Sequence, residues 1–381
     1  MTACEYQVCT YCVMDTSDPD ISFDANGRCN HCRDFESLRG TVWFPNDVGA
    51  RRLERMIEQV KDEGTGRDYD CVLGLSGGID SSYLALKAHE WGLRPLVVHV
   101  DAGWNSELAV QNIERIVKHC GYELHTHVVN WEDMRELQLS YLRAAVANQD
   151  VPQDHAIFAG LYHFAIENKV HYVLNGGNVA TEGIFPTAWH GAAMDARNLK
   201  AIHARYGTQQ LTDYPLISFS QYYFWYPVVR RMTPLRPLNL MPYSKDDAIS
   251  ELEEQIGWRA YPRKHGESLF TKFFQNYYLP TKFGYDKRRP HLSSLVASGS
   301  ITRDRALGLL QEPLYDCEEL RRDRQYICRK LRISDAEFED LMNRPIQHYT
   351  DFDNWDKHYA RMKAAQALIG KMAGMTPSAY R

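Results

Sequence analysis

The chain has 381 residues, of which 24% are charged and 44% are hydrophobic, and its formal net charge is -5. This composition is ordinary for a soluble globular protein, and the length suggests two domains or one domain with a substantial attachment. The negative balance gives no general attraction to nucleic acid, although it leaves a local basic patch open. The N-terminus lacks the pattern of a signal peptide, and no apolar run reaches the ~20 residues of a membrane span. We therefore expect a cytoplasmic protein.

Four of the nine cysteines form two closely spaced pairs near the N-terminus. Their pattern is C-x2-C-x16-C-x2-C, which is typical of a structural zinc site in which four thiolates complete a tetrahedron. The predicted Zn²⁺ ligands are Cys9, Cys12, Cys29 and Cys32. The alternative is four buried free thiols. We expect residues 1–48 to form a zinc-binding knuckle segment and a linker.

Apolar strand patterns alternate with helical patterns from Asp70 onward. This alternation predicts an α/β fold with a doubly wound, mostly parallel sheet, which we expect over residues 49–245. Residues 246–381 are predicted to form a mostly helical region for substrate or partner binding. Ligands of such sheets bind beyond the carboxyl ends of the strands. Three segments have that position: residues 76–82, 101–103 and 175–178.

The first of these segments reads Ser-Gly-Gly-Ile-Asp-Ser at residues 76–81, between a strand and a helix. The glycines allow tight turns and a close ligand, and the N–H groups of a helix start form an anion site. There is neither the lysine of a Walker loop nor a G-x-G-x-x-G fingerprint. A carboxylate, Asp80, stands in the anion site instead. Mg²⁺ between Asp80 and phosphate oxygens would remove the repulsion, and the alternative is that Asp80 only caps the helix.

The motif at residues 76–81 resembles the PP-loop of the ATP pyrophosphatase superfamily, which is adenine nucleotide alpha hydrolase-like in fold. The resemblance implies cleavage of ATP between the α and β phosphates, adenylation of a carbonyl or amide-type oxygen, and displacement of AMP by a nucleophile. It also implies that the strand end near residues 98–101 touches adenosine and that residues 175–178 border the nucleotide. The expected ATP-binding residues are Ser76, Gly77, Gly78, Asp80, Ser81, Ser82, Val100, Asp101, Asn175, Gly176, Gly177 and Asn178.

Basic residues cluster in the C-terminal half, and three of them stand between Gly284 and Pro290, in what we predict to be a loop. Loop cations beside aromatic residues suit a phosphate-bearing substrate or the pyrophosphate of ATP, and the alternative is a solvated charge run. The predicted substrate or phosphate contacts are Lys264, Lys272, Lys287, Arg288 and Arg289. We predict catalytic roles for Asp80, Lys287 and Arg288. An aromatic run at residues 222–226 favours a core or an interface over a base or sugar pocket.

The order of CxxC pairs, PP-loop and a Lys-Phe-Gly-x-Asp-Lys-Arg-Arg run is similar to the N-acetyl sugar amidotransferase family, over roughly residues 9–310. The resemblance implies an enzyme of lipopolysaccharide O-antigen or nonulosonic acid biosynthesis. Such an enzyme adenylates the carbonyl of a sugar N-acetyl group, on a nucleotide-linked sugar, and uses ammonia to form an acetamidino sugar, AMP and pyrophosphate. The implied cofactors are ATP, Mg²⁺ and structural Zn²⁺.

The source of ammonia is expected to be another protein, because none of the nine cysteines has the context of a glutaminase nucleophile. The family resemblance implies a glutaminase subunit and a cyclase-like barrel subunit as partners. A PP-loop tRNA thiolation enzyme is the alternative, since it also carries zinc knuckles. Such thiolases usually use further cysteines near the site, whereas Cys120, Cys317 and Cys328 are isolated. A third interpretation, a zinc-stabilised nucleotide-binding scaffold, predicts ATP binding without release of pyrophosphate.

Overall fold

The centre of the molecule is a five-stranded parallel sheet in the order β3-β2-β1-β4-β5. The computed structural model describes residues 6–191, 193–261 and 266–373. The strands are β1 Cys71–Gly74, β2 Pro95–Asp101, β3 Leu124–Val128, β4 Tyr172–Leu174 and β5 Thr233–Leu235. Strand order reverses at β1, which pairs with β2 on one side and with β4 on the other. The predicted doubly wound α/β fold is therefore confirmed.

Helices cover both faces of this sheet and build the C-terminal region. The α-helices are α1 Asn30–Leu38, α2 Asp47–Gly64, α3 Ile79–Glu90, α4 Glu107–Cys120, α5 Trp131–Ala144, α6 Val151–Glu167, α7 Val179–Glu182, α8 Ala196–Tyr206, α9 Lys245–Ile256, α10 Leu269–Phe273, α11 Leu279–Phe283, α12 Arg288–Ser298, α13 Arg303–Leu310, α14 Cys317–Leu331, α15 Asp335–Asn343 and α16 Asp356–Ala373. Shorter 3-10 helices span Thr187–Trp189, Pro237–Leu240 and Tyr349–Asp351, and π-helices span Gln221–Val229 and Phe274–Tyr278. Within the described ranges, none of the helices combines the length and the apolar character that crossing a membrane requires.

The sheet separates two hydrophobic cores because successive side chains of a strand point to opposite faces. Leu73 of β1 packs in the core that also holds α3, whereas Val72 packs in the core that holds α6. Strands that are buried on both faces read as continuous apolar runs, which is why β1 and β2 are visible in the sequence. The edge strand β5 is not, because it has three residues and one of them is Pro234.

The N-terminal segment is attached to the first core rather than standing apart. Phe35 of α1 and Trp43 pack in the same core as Leu73, and their rings meet edge to face at 5.6 Å. The guanidinium of Arg303 donates to the backbone carbonyl of Cys9, which joins α13 to the cysteine-rich turn. The other predicted boundary, between residues 245 and 246, falls inside α9, and this helix packs on α3. The three predicted domains stay a prediction.

Helix α3 begins at Ile79 with Gly78 as its N-cap, so the alternative in which Asp80 caps this helix is wrong. One predicted detail of local structure is wrong as well. Helix α12 begins at Arg288, so the predicted basic loop is in fact the start of a helix. Ser334 and Glu337 form a capping box at the start of α15.

The aromatic run of the C-terminal half is divided between core and surface. Tyr226 is buried against the second core, and its ring stacks on that of Tyr162 at 5.5 Å. Phe224 and Trp225 are exposed on the same π-helix. The predicted core role therefore holds for part of the run only.

Candidate active site

The loop that follows β1 is built so that only glycine fits at its centre. Gly77 has φ +82°, and a Cβ placed there would lie 2.7 Å from the backbone oxygen of Ala109 in α4. The hydroxyl of Tyr261 donates to the carbonyl of Gly77 at 2.8 Å. The hydroxyls of Ser76 and Ser81 lie 3.1 Å apart across the loop. The loop is thus held on both sides, and the N-terminus of α3 points to its open face, where an anion can bind.

Asp80, in the first turn of α3, is the centre of a polar network. One carboxylate oxygen, Oδ1, accepts hydrogen bonds from Asn178 Nδ2 at 2.9 Å and from the Tyr243 hydroxyl at 2.7 Å. The other oxygen, Oδ2, lies 3.8 Å from Nζ of Lys245. Burial and the carboxylate raise the pKa of the Tyr243 hydroxyl, which keeps it a hydrogen-bond donor. Tyr243 and Lys245 were not predicted from the sequence, because no local pattern distinguishes them.

The segment after β4 packs directly on the loop after β1. A Cβ on Gly176 would lie 2.9 Å from the backbone carbonyl carbon of Asp80, so the two backbones touch at a position that only glycine allows. The amide of Gly177 donates to Asn175 Oδ1 at 2.7 Å, and Asn178 caps α7. The structure therefore brings together two of the three predicted ligand segments, at the point where strand order reverses.

The third predicted segment, at the end of β2, is organised by a histidine. Nδ1 of His99 lies 2.8 Å from the carbonyl oxygen of Leu75, and Nε2 lies 2.9 Å from Asn105 Nδ2. Since the amide nitrogen of Asn105 can only donate, Nε2 of His99 accepts and Nδ1 carries the proton. Asp101 accepts hydrogen bonds from Asn105 and from the amide of residue 103. The side chain of Val100 is buried in the second core, so only its backbone lies at the strand end.

A cavity of about 470 Å³ lies between this network and the C-terminal helices. The loop side contributes Ser76, Gly78, Asp80, Ser81, Thr181, Glu182 and Lys245. The C-terminal side contributes Gln275, Asn276, Lys287, Arg288, His291, Leu292, Leu295 and Leu309. The hydroxyl of Thr181 is buried and has no hydrogen-bond partner among the described residues. Both walls of the cavity therefore carry polar and charged side chains, the C-terminal wall adds three leucines, and the size of the cavity suits a nucleotide-sized ligand.

Lys287 is the buried cation of this cavity. Lys287 is the N-cap residue of α12. Its Nζ lies 2.7 Å from Nε2 of His190 and 4.9 Å from the centre of the Phe185 ring. Burial lowers the pKa of Lys287 to about 8, against the opposing effect of nearby carboxylates that include Glu182 and Asp154. Burial and Lys287 lower the pKa of His190, so its ring is neutral and Nε2 accepts from the lysine.

The other predicted cations do not form one patch. Arg288 lines the cavity, but its guanidinium binds both carboxylate oxygens of Asp286 and the carbonyls of residues 309, 310 and 312. Arg289 lies 2.9 Å from Asp15 in the N-terminal segment, away from the cavity lining. Lys272 lies 2.6 Å from Asp323 of α14. Their contacts with phosphate stay predictions that this placement does not support, and Lys264 lies outside the described residues.

The four cysteines of the two CxxC pairs are buried, and their sulfurs all lie within 4.8 Å of one another. The Sγ–Sγ distances are 3.8 Å for Cys9 and Cys32, 3.7 Å for Cys12 and Cys29, and 3.6 Å for Cys29 and Cys32. A tetrahedral zinc with bonds of about 2.3 Å requires sulfurs about 3.8 Å apart. The residues therefore fit a structural zinc site. The amides of Tyr11 and Cys12 also point at Cys9 Sγ, as expected around a thiolate ligand.

Strand order, the loop after β1 and the polar network on Asp80 together define a PP-loop type α/β protein. Residues 267–366 match the family described as "LPS biosynthesis protein WbpG-like, C-terminal domain". This segment supplies one wall of the cavity, and the match confirms the resemblance to N-acetyl sugar amidotransferases that the sequence indicates. No sequence among curated proteins matches the chain significantly.

Two solved structures show distant similarity. An NH3-dependent NAD synthetase from Campylobacter jejuni subsp. jejuni NCTC 11168, in complex with the nitrate ion, is 12% identical, and the alignment covers 41% of this chain and 72% of that chain with a TM-score of 0.29. The NMN synthetase from Francisella tularensis is 14% identical over 75% of this chain and 97% of that chain, with a TM-score of 0.36. Similarity at this level adds nothing to the strand order, which itself defines the fold.

Proposed function

We propose that the protein is an ATP-dependent ligase of lipopolysaccharide or related sugar biosynthesis, which converts the N-acetyl group of a nucleotide-linked sugar to an acetamidino group. The observation that carries the proposal is the cavity of about 470 Å³, in which the PP-loop forms one wall and the segment matched to the lipopolysaccharide family forms the other. A nucleotide on the first wall then faces an acceptor on the second.

The proposed reaction has two steps, adenylation of the acetamide oxygen and displacement of AMP by ammonia. The acetamide oxygen attacks the α-phosphorus of ATP, an O–P bond forms, and the bond between the α-phosphorus and its bridging oxygen breaks to release pyrophosphate. Ammonia then donates its lone pair to the activated carbon, and AMP leaves with the electrons of the C–O bond. The product is an amidinium group. If the nitrogen source is ammonium, it must first lose a proton to become ammonia, so the overall reaction then releases one proton.

The protein's own groups stabilise charge in these steps. The first N–H groups of α3, after Gly78, bind phosphate oxygens. Lys287 contributes a buried positive charge to the cavity lining. In this buried site its attraction to the departing pyrophosphate is stronger than it would be in water. Arg288 has all five donor hydrogens directed to Asp286 and to carbonyls, so we assign it to holding the cavity wall. Leu292 and Leu295 help to exclude water from the activated intermediate.

The donor set on the loop wall fits Mg²⁺. Asp80 Oδ1 already accepts two hydrogen bonds, so Oδ2, together with the carboxylate of Glu182 on the same cavity, would hold the ion. Bound there, Mg²⁺ would neutralise charge on the phosphates of ATP. Zn²⁺ would be held by the four cysteines and would have a structural role. We propose that the ammonia comes from a separate glutaminase with a cyclase-like barrel subunit.

Thiolation of tRNA is less consistent with the cavity. Sulfur transfer of that kind usually relies on reactive cysteines, and none of the cysteines among the described residues lines the cavity. The sequence-based preference for amidation over thiolation is therefore retained in the proposal.

Pyrophosphate release over a panel of nucleotide-linked acetamido sugars, with ATP, Mg²⁺ and ammonium chloride, tests the proposal. Release should depend on the acetamido group and should be absent with the parent sugars that carry a hydroxyl instead. Asp80→Asn keeps an oxygen for Asn178 and Tyr243 but removes the charge, so we expect release to fall about 100-fold with an unchanged Tm. Release that requires tRNA and a sulfur donor would reject the proposal, and so would ATP binding with no release under any condition.

A further inference from the structure

A second cavity, of about 230 Å³, lies on the far side of the pair formed by Lys287 and His190. Lys287 lines the first cavity and His190 lines the second, while their side-chain nitrogens are 2.7 Å apart. The linings of the two cavities therefore meet at one hydrogen-bonded pair. The lining of the second cavity combines exposed residues such as Asp20 and Thr187 with buried ones such as Tyr141.

The second cavity is small, and one of its lining residues, Tyr141, is almost fully buried. Tyr141 is 1% exposed, and its hydroxyl has no hydrogen-bond partner among the described residues. A volume of about 230 Å³ lies below the about 300–1,000 Å³ of ordinary ligand pockets, but it is ample for a molecule the size of water.

We propose that the second cavity admits ammonia, and that the ammonia passes the Lys287–His190 pair to reach the activated carbonyl in the first cavity. This inference rests on the proposed function, since ammonia is the nucleophile of that reaction. The first cavity would be filled by nucleotide and acceptor, and water that followed ammonia through it would destroy the intermediate. A separate narrow route supplies the nucleophile without opening the first cavity.

The wall between the cavities has the chemistry that this role requires. Lys287 is a buried cation, so it repels ammonium, whereas neutral ammonia can approach and keeps the lone pair that forms the C–N bond. The ring of His190 stacks on Phe185 at 3.6 Å, and Phe185 is 57% exposed. The pair can therefore separate by moving an exposed side chain, with no disruption of either hydrophobic core.

Filling the second cavity from its mouth tests the inference. Thr187→Trp and Ala188→Trp each add a large side chain to its lining, and Thr41→Trp makes a matched change at an exposed position that lines neither cavity. Two rates are measured for each full-length variant. The first is amidation as a function of ammonium chloride concentration, and the second is sugar-dependent exchange of labelled pyrophosphate into ATP without ammonium.

We expect the KM for ammonium to rise at least tenfold in one or both cavity variants. The rate of pyrophosphate exchange into ATP should stay within twofold of that of the unaltered protein. Thr41→Trp should change neither the KM nor the exchange rate. The unaltered protein should also use methylamine less well than ammonia, and the variant that still folds, judged by its Tm, should increase this preference. An unchanged KM for ammonium in both variants, with normal exchange, would overturn the route alone. Absence of exchange in the unaltered protein would refute the proposed function, and the route with it.

Discussion

Adding one carbon at Gly77 tests how the PP-loop is held. Gly77 has φ +82°, a conformation that costs other residues about 1–2 kcal/mol. The new Cβ would lie 2.7 Å from the backbone oxygen of Ala109 and 3.1 Å from its Cα, both inside the 3.4 Å at which ordinary contact begins. Because these atoms belong to the backbone of α4, they cannot rotate away, and overpacking of this kind costs about 1–3 kcal/mol. Gly77→Ala should therefore lose about 2–5 kcal/mol of unfolding free energy.

Gly121 provides the matched control for this change. Its φ is +65°, and nothing lies within 4 Å of a Cβ built there, so Gly121→Ala has the backbone cost of about 1–2 kcal/mol without the clash. Urea unfolding measures both variants. The difference between them should be about 1–3 kcal/mol and reports the contact between the loop and α4.

The same two variants separate stability from function. Relieving the clash at Gly77 must displace the loop from the N-terminus of α3, so sugar-dependent exchange of pyrophosphate into ATP should fall at least tenfold. Exchange should be unchanged in Gly121→Ala. Equal unfolding free energies for the two variants, together with full exchange in Gly77→Ala, would refute this account of the loop.

Three further predictions concern protons and metal. Exchange of pyrophosphate into ATP should fall as pH rises through about 8, because burial lowers the pKa of Lys287 to about 8 and its proposed role needs the cation; Lys287→Arg should remove this fall. Burial lowers the pKa of His155 to about 4, so the unfolded state binds more protons between that value and about 6.5, and stability is lost as pH falls through this window. The difference in unfolding free energy between the unaltered protein and His155→Gln should therefore narrow by about 3 kcal/mol from pH 7 to pH 4. A difference that does not change with pH would contradict a lowered pKa of His155. Elemental analysis should find about one zinc per chain and clearly less in Cys29→Ser; a stable metal-free preparation would disprove the zinc site.

The sheet and the meeting of its ligand segments were predictable because both follow from rules of backbone geometry. Strands buried on both faces are continuous apolar runs, and the carboxyl ends of neighbouring parallel strands share one edge of the sheet. That is why the loops after β1 and β4 were expected together, and Gly176 indeed touches the backbone of Asp80. β5 was missed because a strand of three residues that contains Pro234 leaves no periodic signal.

The surroundings of the cations were not predictable, because a run of charges does not show what each charge will meet. Lys287 is 6% exposed and pairs with His190, which is 97 residues away in the chain. Arg289, two residues later, pairs with Asp15 of the N-terminal segment instead. Neighbouring positions of one helix start point to different parts of the fold, and only tertiary structure separates them.

Transfer of oxygen from the acetamido group to AMP tests the central proposal most directly. The substrate is a nucleotide-linked sugar with ¹⁸O in its N-acetyl carbonyl, incubated with ATP, Mg²⁺, ammonium chloride and the protein. Because the proposed intermediate joins that oxygen to the α-phosphorus, the released AMP should carry one ¹⁸O, as read by mass spectrometry. Unlabelled AMP, or ADP with label in phosphate, would contradict the mechanism.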